Sequence, residues 1–179
     1  MPLYVFAAFI LIEIDQLVKA WALRVRRLWP TIPVIQDKFH LTYLENRGAA
    51  FSLFAQFDSR WVFVVLAVVI TAVILYVLHK QIMQTALGSW SLVLIAAGAL
   101  GNAIDRVVHG FVVDMFDFRI IHFPVFNVAD IFITVGGVLF VLYVLFQHKE
   151  EKAEERDEAQ AAADEQAAEA PLEEPKQHD

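Results

Sequence analysis

The sequence predicts an all-α membrane protein of four transmembrane helices, with a small β-sheet on the membrane surface between the first and second helices. Three observations carry the prediction. Of the 179 residues 58% are hydrophobic and the mean hydropathy is +0.53, well above the roughly 45–50% apolar content of an average soluble domain. Four apolar runs are each long enough to cross a bilayer core, which takes about 20 helical residues. A polar segment whose side chains alternate in character lies between the first two runs.

Charge divides the chain into two parts. From His148 onward twelve Asp or Glu face four Lys or Arg, so the formal charge of −7 belongs to the C-terminal tail and residues 1–147 are nearly neutral at +1. The expected organisation is therefore a transmembrane domain over 1–147 and an acidic, Ala- and Glu-rich tail over 148–179. The tail has no apolar stripe with which to dock, and reads as a disordered extension or a solvated helix. The absence of cysteine excludes disulfides, thiol catalysis and cysteine metal ligands.

The first run, from Pro2 to about Leu23, carries Glu13, Asp15 and Lys19. Ala20-Trp21-Ala22 resembles a signal-peptidase cleavage site, but the run lacks a basic n-region and has charges where an apolar h-region belongs, which favours a retained span. Asp15 and Lys19 are four apart, share a helix face and can pair. From Arg24 to Arg60 the chain is mixed and polar, with Pro30 and Pro33. Phe39, Leu41 and Tyr43 alternate with His40, Thr42 and Leu44, the period of a strand. A turn at Arg47-Gly48 and a second short strand after it would complete a surface sheet over about 34–56.

Trp61 to Leu78 is the most uniformly apolar span, with Thr71 its only polar residue, and faces lipid. The third span runs from about Thr85 to Ile104, with small residues Gly88, Ala97, Gly98 and Gly101 that let helix backbones approach. The fourth runs from about Phe123 to Phe146, with Pro124 suited to its first turn and Gly136-Gly137 for packing. The connection 109–123 reads as a loop able to cover a cleft.

Four consecutive spans alternate in direction, so the end of the first, the end of the third and the start of the fourth lie at one membrane face. That face collects Asp15 and Lys19, then Asn102, Asp105 and Arg106 at i, i+3, i+4, then Asn127 and Asp130; Asn46 emerges beside them. A lone charged side chain at mid-helix costs roughly 2.5–3.5 kcal/mol, so such a cluster implies mutual pairing or chemistry. Two carboxylates in a low-dielectric cleft share a proton: one activates water while the other, protonated, polarises a carbonyl. Asp114, in the connection after the third span, and Asp130, just inside the fourth, are the best such pair, with Asp117 as the spare. Asp105 beside Arg106, and Asp15 with Lys19, also have a purely structural reading as ion pairs. His109 and His122 flank the cluster, but the six histidines form no i, i+4 pair or HExxH, which speaks against zinc, and no GxSxG elbow supports a serine hydrolase.

At these residues the sequence resembles the lipoprotein signal peptidases, also called signal peptidase II. DQLVK from Asp15, NRGAAFS from Asn46, GNAIDR from Gly101, VVDMFDF from Val112 and FNVAD from Phe126 occur in the family's order across almost all of residues 1–147. The resemblance implies a four-helix inner-membrane aspartic endopeptidase that cuts the signal peptide from a prolipoprotein just before its diacylglyceryl-modified cysteine. It makes Asp114 and Asp130 the catalytic pair, and has Asn46, Asn102, Arg106 and Asn127 hold the substrate and orient the carboxylates. Asp15, Lys19, Gly48 and Asp105 match positions with supporting roles. No metal or other cofactor is implied. The expected partners are the lipid-modified prolipoprotein, membrane lipids and a cyclic peptide inhibitor such as globomycin, with no nucleic acid and the chain acting as a monomer. The family places the sheet and the site outside and both termini in the cytoplasm. Arg24, Arg26, Arg27, Lys38, Arg47 and Arg60 in the first loop favour the reverse by charge counting; Arg47 belongs to a site motif, and the basic residues beside the first span suit anionic headgroups. Transport or proton relay is the alternative for clustered intramembrane charge, and would spread the polar groups through the membrane depth. A non-catalytic assembly factor would leave the carboxylates unexplained.

Overall fold

Seven principal elements follow one another in the computed structural model, which describes residues 1–25, 31–48, 59–83, 85–121 and 123–169. They are α1 (Pro2–Val25), β1 (Thr31–Ile35), β2 (Phe39–Asn46), α2 (Ser59–His79), α3 (Ala86–Val108), β3 (Val112–Phe118) and α4 (Val128–Glu169); a single 3-10 turn, Arg119–Ile121, follows β3. Two compact units are distinguished, Met1–Val141 and Leu142–Asp179, and everything that positions the site lies in the first. Of the residues named above, Arg26, Arg27, Pro30 and His122, and the second short strand expected after Gly48, lie outside the described residues.

Among the described residues three helices are long and apolar enough to cross a membrane: Arg60–His79, Ala86–Val108 and Val128–Lys149. The 24-residue α1 has the length, but Glu13, Asp15, Lys19 and Arg24 keep it from qualifying by composition. Around α3 the apolar packing is continuous. Ile74 and Leu78 of α2 meet Leu92, Val93 and Ala96 of α3, with Tyr4, Ala7, Ala8 and Leu11 of α1 packed against them. A second cluster joins Ala22 at the end of α1 to Val113 and Met115 of β3. The close approach of α3 and α4 rests on glycine: a Cβ on Gly98 would strike the carbonyl oxygen of Ala129 and the side chain of Ile133, and one on Gly136 would sit 2.8 Å from the Ser91 carbonyl oxygen.

The sheet is antiparallel in the order β1-β2-β3, so the connection expected as a loop contributes its third strand. The strand was hidden because its first four residues, Val112 to Met115, are all buried, which erases the alternation a one-sided strand shows. The helix expected from about Phe123 is α4, and it begins at Val128. Pro124 precedes it, and Phe126 is instead bridged to Phe116 of β3, so Asn127 and not Pro124 starts the helix.

Candidate active site

The two proposed aspartates arrive on different elements, Asp114 on β3 and Asp130 on α4, and asparagines join them. Opposite β3, the pairing of β2 slips between Leu41 and Leu44. Phe39 and Leu41 lie opposite Phe118 and Phe116, whereas Leu44 lies opposite Asp114. This bulge changes which residues of β2 face the cleft from odd to even numbers. Asn46 therefore shares a face with Asp114 and donates from Nδ2 to Asp114 Oδ2 at 3.0 Å, while its own Oδ1 accepts from the Gly48 amide at 2.9 Å. Gly48 closes this turn with φ +71°, a left-handed conformation suited to glycine.

At the start of α4 Asn127 and Asp130 form a reciprocal cap. Asn127 Oδ1 accepts from the Asp130 amide at 3.0 Å, and Asp130 Oδ2 accepts from the Asn127 amide at 3.2 Å. The same Asn127 turns its Nδ2 toward Asp114 Oδ1 at 2.7 Å and Asn102 Oδ1 at 3.1 Å. Asn102 Nδ2 in turn donates to Asp130 Oδ1 at 2.8 Å. Both carboxylates thus accept two hydrogen bonds each from one amide network, and Asn127 touches both residues.

Behind this network lies a buried ionic cluster. Lys19, only 1% exposed, places Nζ 2.9 Å from Asp15 Oδ2, 3.2 Å from Asp105 Oδ2 and 2.9 Å from Asn102 Oδ1, which occupies all three ammonium protons. Asp15 Oδ1 accepts from the backbone amide of Ala129, one of the N–H groups at the start of α4 that lack a helical partner. Asp105 Oδ2 accepts from the backbone amide of Val113 at 2.9 Å. Gly101 makes room for this, since a Cβ there would lie 2.5 Å from Asp15 Oδ2.

Asp114 is fully buried, and burial pushes its carboxyl up to about 6, with the Asp130 charge acting in the same direction and the hydrogen bonds from Asn46 and Asn127 against it. Asp117, the spare, does not share the site. Burial acts upward on it, but hydrogen bonds from Arg119 at 3.0 Å and Thr42 at 2.9 Å hold it below the ordinary carboxylate range. Three residues along a strand from Asp114, it belongs to the opposite face. Asp105 and Arg106 do not pair with each other. One residue apart on a helix they point differently; Asp105 takes Lys19, and Arg106 lies 4.7 Å over the Phe63 ring and donates to the Asn102 carbonyl oxygen at 3.2 Å.

Asn46 and Asp130 line a cavity of about 480 Å³ whose other walls are Phe123, Pro124, Val125, Phe126, Ile131, Thr134 and Val135. It is wide enough for an extended peptide with apolar substituents. Gln16 was missed by the sequence reading. Its Nε2 lies 3.1 Å from Asp105 Oδ1, 3.1 Å from the Gly101 carbonyl oxygen and 3.2 Å from Asp15 Oδ2. Its position between Asp15 and Lys19, on the same half of α1, is the signal that could have found it.

A family model described as signal peptidase (SPase) II matches residues 7–146. The lipoprotein signal peptidase of Clostridioides difficile (strain 630) is 49% identical over 144 residues, covering 80% of this chain and 95% of that protein. The lipoprotein signal peptidase of Halothermothrix orenii is 42% identical over 140 residues, covering 78% and 93%. Among solved structures, one titled as a bacterial membrane enzyme determined by the in meso method superposes with a TM-score of 0.73 at 28% identity, covering 81% of this chain and 94% of that one. Another, described likewise, gives 0.71 at 27% identity, covering 84% and 92%.

Proposed function

The chain belongs to the signal peptidase II family, a family of membrane proteases that process lipoproteins, and on that footing we propose that Asp114 and Asp130 are its catalytic aspartyl dyad. The observation that carries this reading is Asn127, whose side chain hydrogen-bonds Asp114 while its cap holds Asp130. Asp130 lines the open cavity and serves as the base; Asp114, buried and pushed up to about 6, supplies the proton. Asp130 takes a proton from water as the water oxygen bonds to the scissile carbonyl carbon, and Asp114 protonates the carbonyl oxygen. The tetrahedral intermediate then collapses: the C–N bond breaks, Asp130 returns its proton to the leaving amine, and Asp114 regains its own from the hydroxyl. Asn46, Asn102 and Asn127 hold the carboxylates in register, and Arg106 and Gly48 shape the rim.

The substrate is a prolipoprotein cut on the N-terminal side of a diacylglyceryl-modified cysteine. Phe123, Val125, Phe126, Ile131 and Val135 give the cavity an apolar wall for lipid and signal sequence, while Asn46 and Asp130 supply polar atoms for the backbone. A lipid-anchored cysteine sits at the membrane surface, where a sheet-covered dyad meets both the scissile bond and water. Burial of Asp15 and Lys19 against each other supports α1 as a fourth span, since their charges are withdrawn from lipid. Four spans put both termini on one side of the membrane; the reading takes that side as the cytoplasm and sets the site at the outer face of the bacterial inner membrane, as the family resemblance implies. The chain works as a monomer without a metal, and the cavity is where globomycin binds.

The test is cleavage of a diacylglyceryl-modified prolipoprotein by purified wild type, Asp114→Asn and Asp130→Asn, with an unlipidated control. Wild type cuts the lipidated form alone, and each folded variant loses about 10³–10⁴-fold, the upper part of the range for a positioned acid or base. Turnover by either folded variant near the wild-type rate removes the dyad.

A further inference from the structure

Asp15, Lys19 and Asp105 lie behind the dyad and are fully buried. The two carboxylates accept from two backbone amides, those of Ala129 and Val113. These are the residues immediately before Asp130 and Asp114. The two amides belong to different elements, α4 and β3, and Lys19 from α1 ties their carboxylate anchors together. We infer that Asp15, Lys19 and Asp105, latched by Gln16, form a backbone clamp that sets the separation of the two aspartates, with Lys19 as a positioning residue. This deepens the aspartyl-dyad reading and rests on it.

The clamp also has a direction. Lys19 Nζ only donates, so Asn102 must turn Oδ1 toward it, which leaves Nδ2 to donate to Asp130 Oδ1. Asn127 Nδ2 also donates to Asn102 Oδ1, and the same group reaches Asp114. A neutral side chain at position 19 frees the Asn102 amide to turn over, presenting oxygen to a carboxylate. Gln16 braces the pair from a second side: its Nε2 reaches Asp15 Oδ2, which Lys19 also holds, and Asp105 Oδ1, and the Gly101 carbonyl oxygen fixes it to α3. None of Asp15, Gln16, Lys19 or Asp105 lines the 480 Å³ cavity, so the clamp acts on geometry and not on substrate contact.

The groups facing Asp114 are Asn46 from β2, Asn127 and Asp130 from α4, Lys19 from α1, and Arg106 from α3. Removing the Lys19 charge takes away an influence that favours the Asp114 carboxylate, so the alkaline limb of the pH–rate profile moves up. The experiment compares wild type, Lys19→Met, Lys19→Arg, Gln16→Met and Asp114→Asn, full-length in detergent, on a lipidated prolipoprotein, with kcat, KM, pH profile and thermal unfolding measured for each. The expected result for Lys19→Met is a kcat lowered by about 100-fold, the scale of a misplacement near 1 Å. KM stays within about 3-fold because no substrate contact is lost, the limb moves up, and Lys19→Arg recovers part of the rate. If Lys19→Met does not fold, Gln16→Met carries the test: it keeps the charges balanced and lowers kcat by about 10-fold at unchanged KM. The clamp is overturned if folded Lys19→Met keeps wild-type kcat, if KM rises while kcat holds, or if Gln16→Met, where it must serve alone, leaves kcat unchanged. An active Asp114→Asn overturns the dyad itself, and an inactive Asp114→Asn beside an unaffected Lys19→Met overturns the clamp alone.

Discussion

The α1–α3 pairing is buried at two places, and the two are held together by different physics. Toward one end, Tyr4, Ala7, Ala8 and Leu11 pack on Val93 and Ala96 along with Ile74 and Leu78 of α2. Toward the other, Asp15, Lys19, Asn102 and Asp105 are equally withdrawn from the surface, yet each finds its partner through a hydrogen bond of defined direction. In a bilayer the apolar end gains only packing over what lipid offers, so it tolerates exchange of one apolar side chain for another. The polar end tolerates little, because an unpaired charge in that medium is costly and an amide turned over reverses donor and acceptor. Apolar exchanges at the first end are thereby expected to change stability by degrees, and changes of partner at the second to be felt in the geometry of the site.

After the two aspartates themselves, substitutions that carry a change from one end into the other give the largest effect. Gly98→Val puts a branched side chain against the Ala129 carbonyl oxygen and Ile133, one residue from Asp130. The expected loss in kcat is about 100-fold, from displacement of the start of α4, with a drop in thermal unfolding temperature that distinguishes it from Asp130→Asn. If Gly98→Val keeps full activity, the helix contact does not position the site.

Next comes the pH dependence. The folded value for Asp114, about 6, lies above the ordinary aspartate value of 3.8. Its contribution to stability is therefore full below the lower value and lost as pH rises through the upper one. Activity that needs the Asp114 proton falls over the same rise, with a midpoint near 6. Asn46→Ala removes a hydrogen bond that favours the carboxylate, so the midpoint moves upward while kcat falls about 10-fold. A downward move in a rate profile contradicts the assignment of the proton to Asp114.

At the apolar end, Ile74→Ala leaves activity per folded molecule unchanged and costs about 2 kcal/mol of stability, the low side of core truncations because lipid replaces protein around α2. Thermal unfolding in detergent beside turnover separates the two quantities. The smallest effect belongs to Asp117→Asn: it loses a partly exposed pairing with Arg119, worth under about 1 kcal/mol, and keeps activity within about 3-fold. A loss comparable to that of Asp114→Asn would mean that the strand presents its other face to the cleft.

Much of the polar end was legible from connectivity. An alternating four-span order would bring the ends of the first and third segments to the start of the fourth, and Asp15 does meet Ala129 as Lys19 meets Asn102. Hydropathy located the apolar helices, because burial in lipid and a stretch of some 20 apolar residues are the same requirement written twice. Residues 112–118 were not legible as a strand, since a strand buried on both faces near its start has no period to detect. Nor was the start of α4: Pro124 is a good first-turn residue, but the reciprocal bonds of Asn127 and Asp130 outweighed it.

The sequence by itself determined that this chain lives in a membrane, which of its segments are apolar, and that Asp114 and Asp130 belong near one another. Those properties follow from composition and from order along the chain. Only the tertiary structure decided that Asp105 takes Lys19 rather than its neighbour Arg106, that Gln16 joins the cluster, and that a bulge between Leu41 and Leu44 turns Asn46 toward Asp114. Register and partner choice are settled by groups 68 to 114 residues apart in sequence, as in Asn46 with Asp114 and Asp15 with Ala129, and no local pattern of residues encodes contacts at that range.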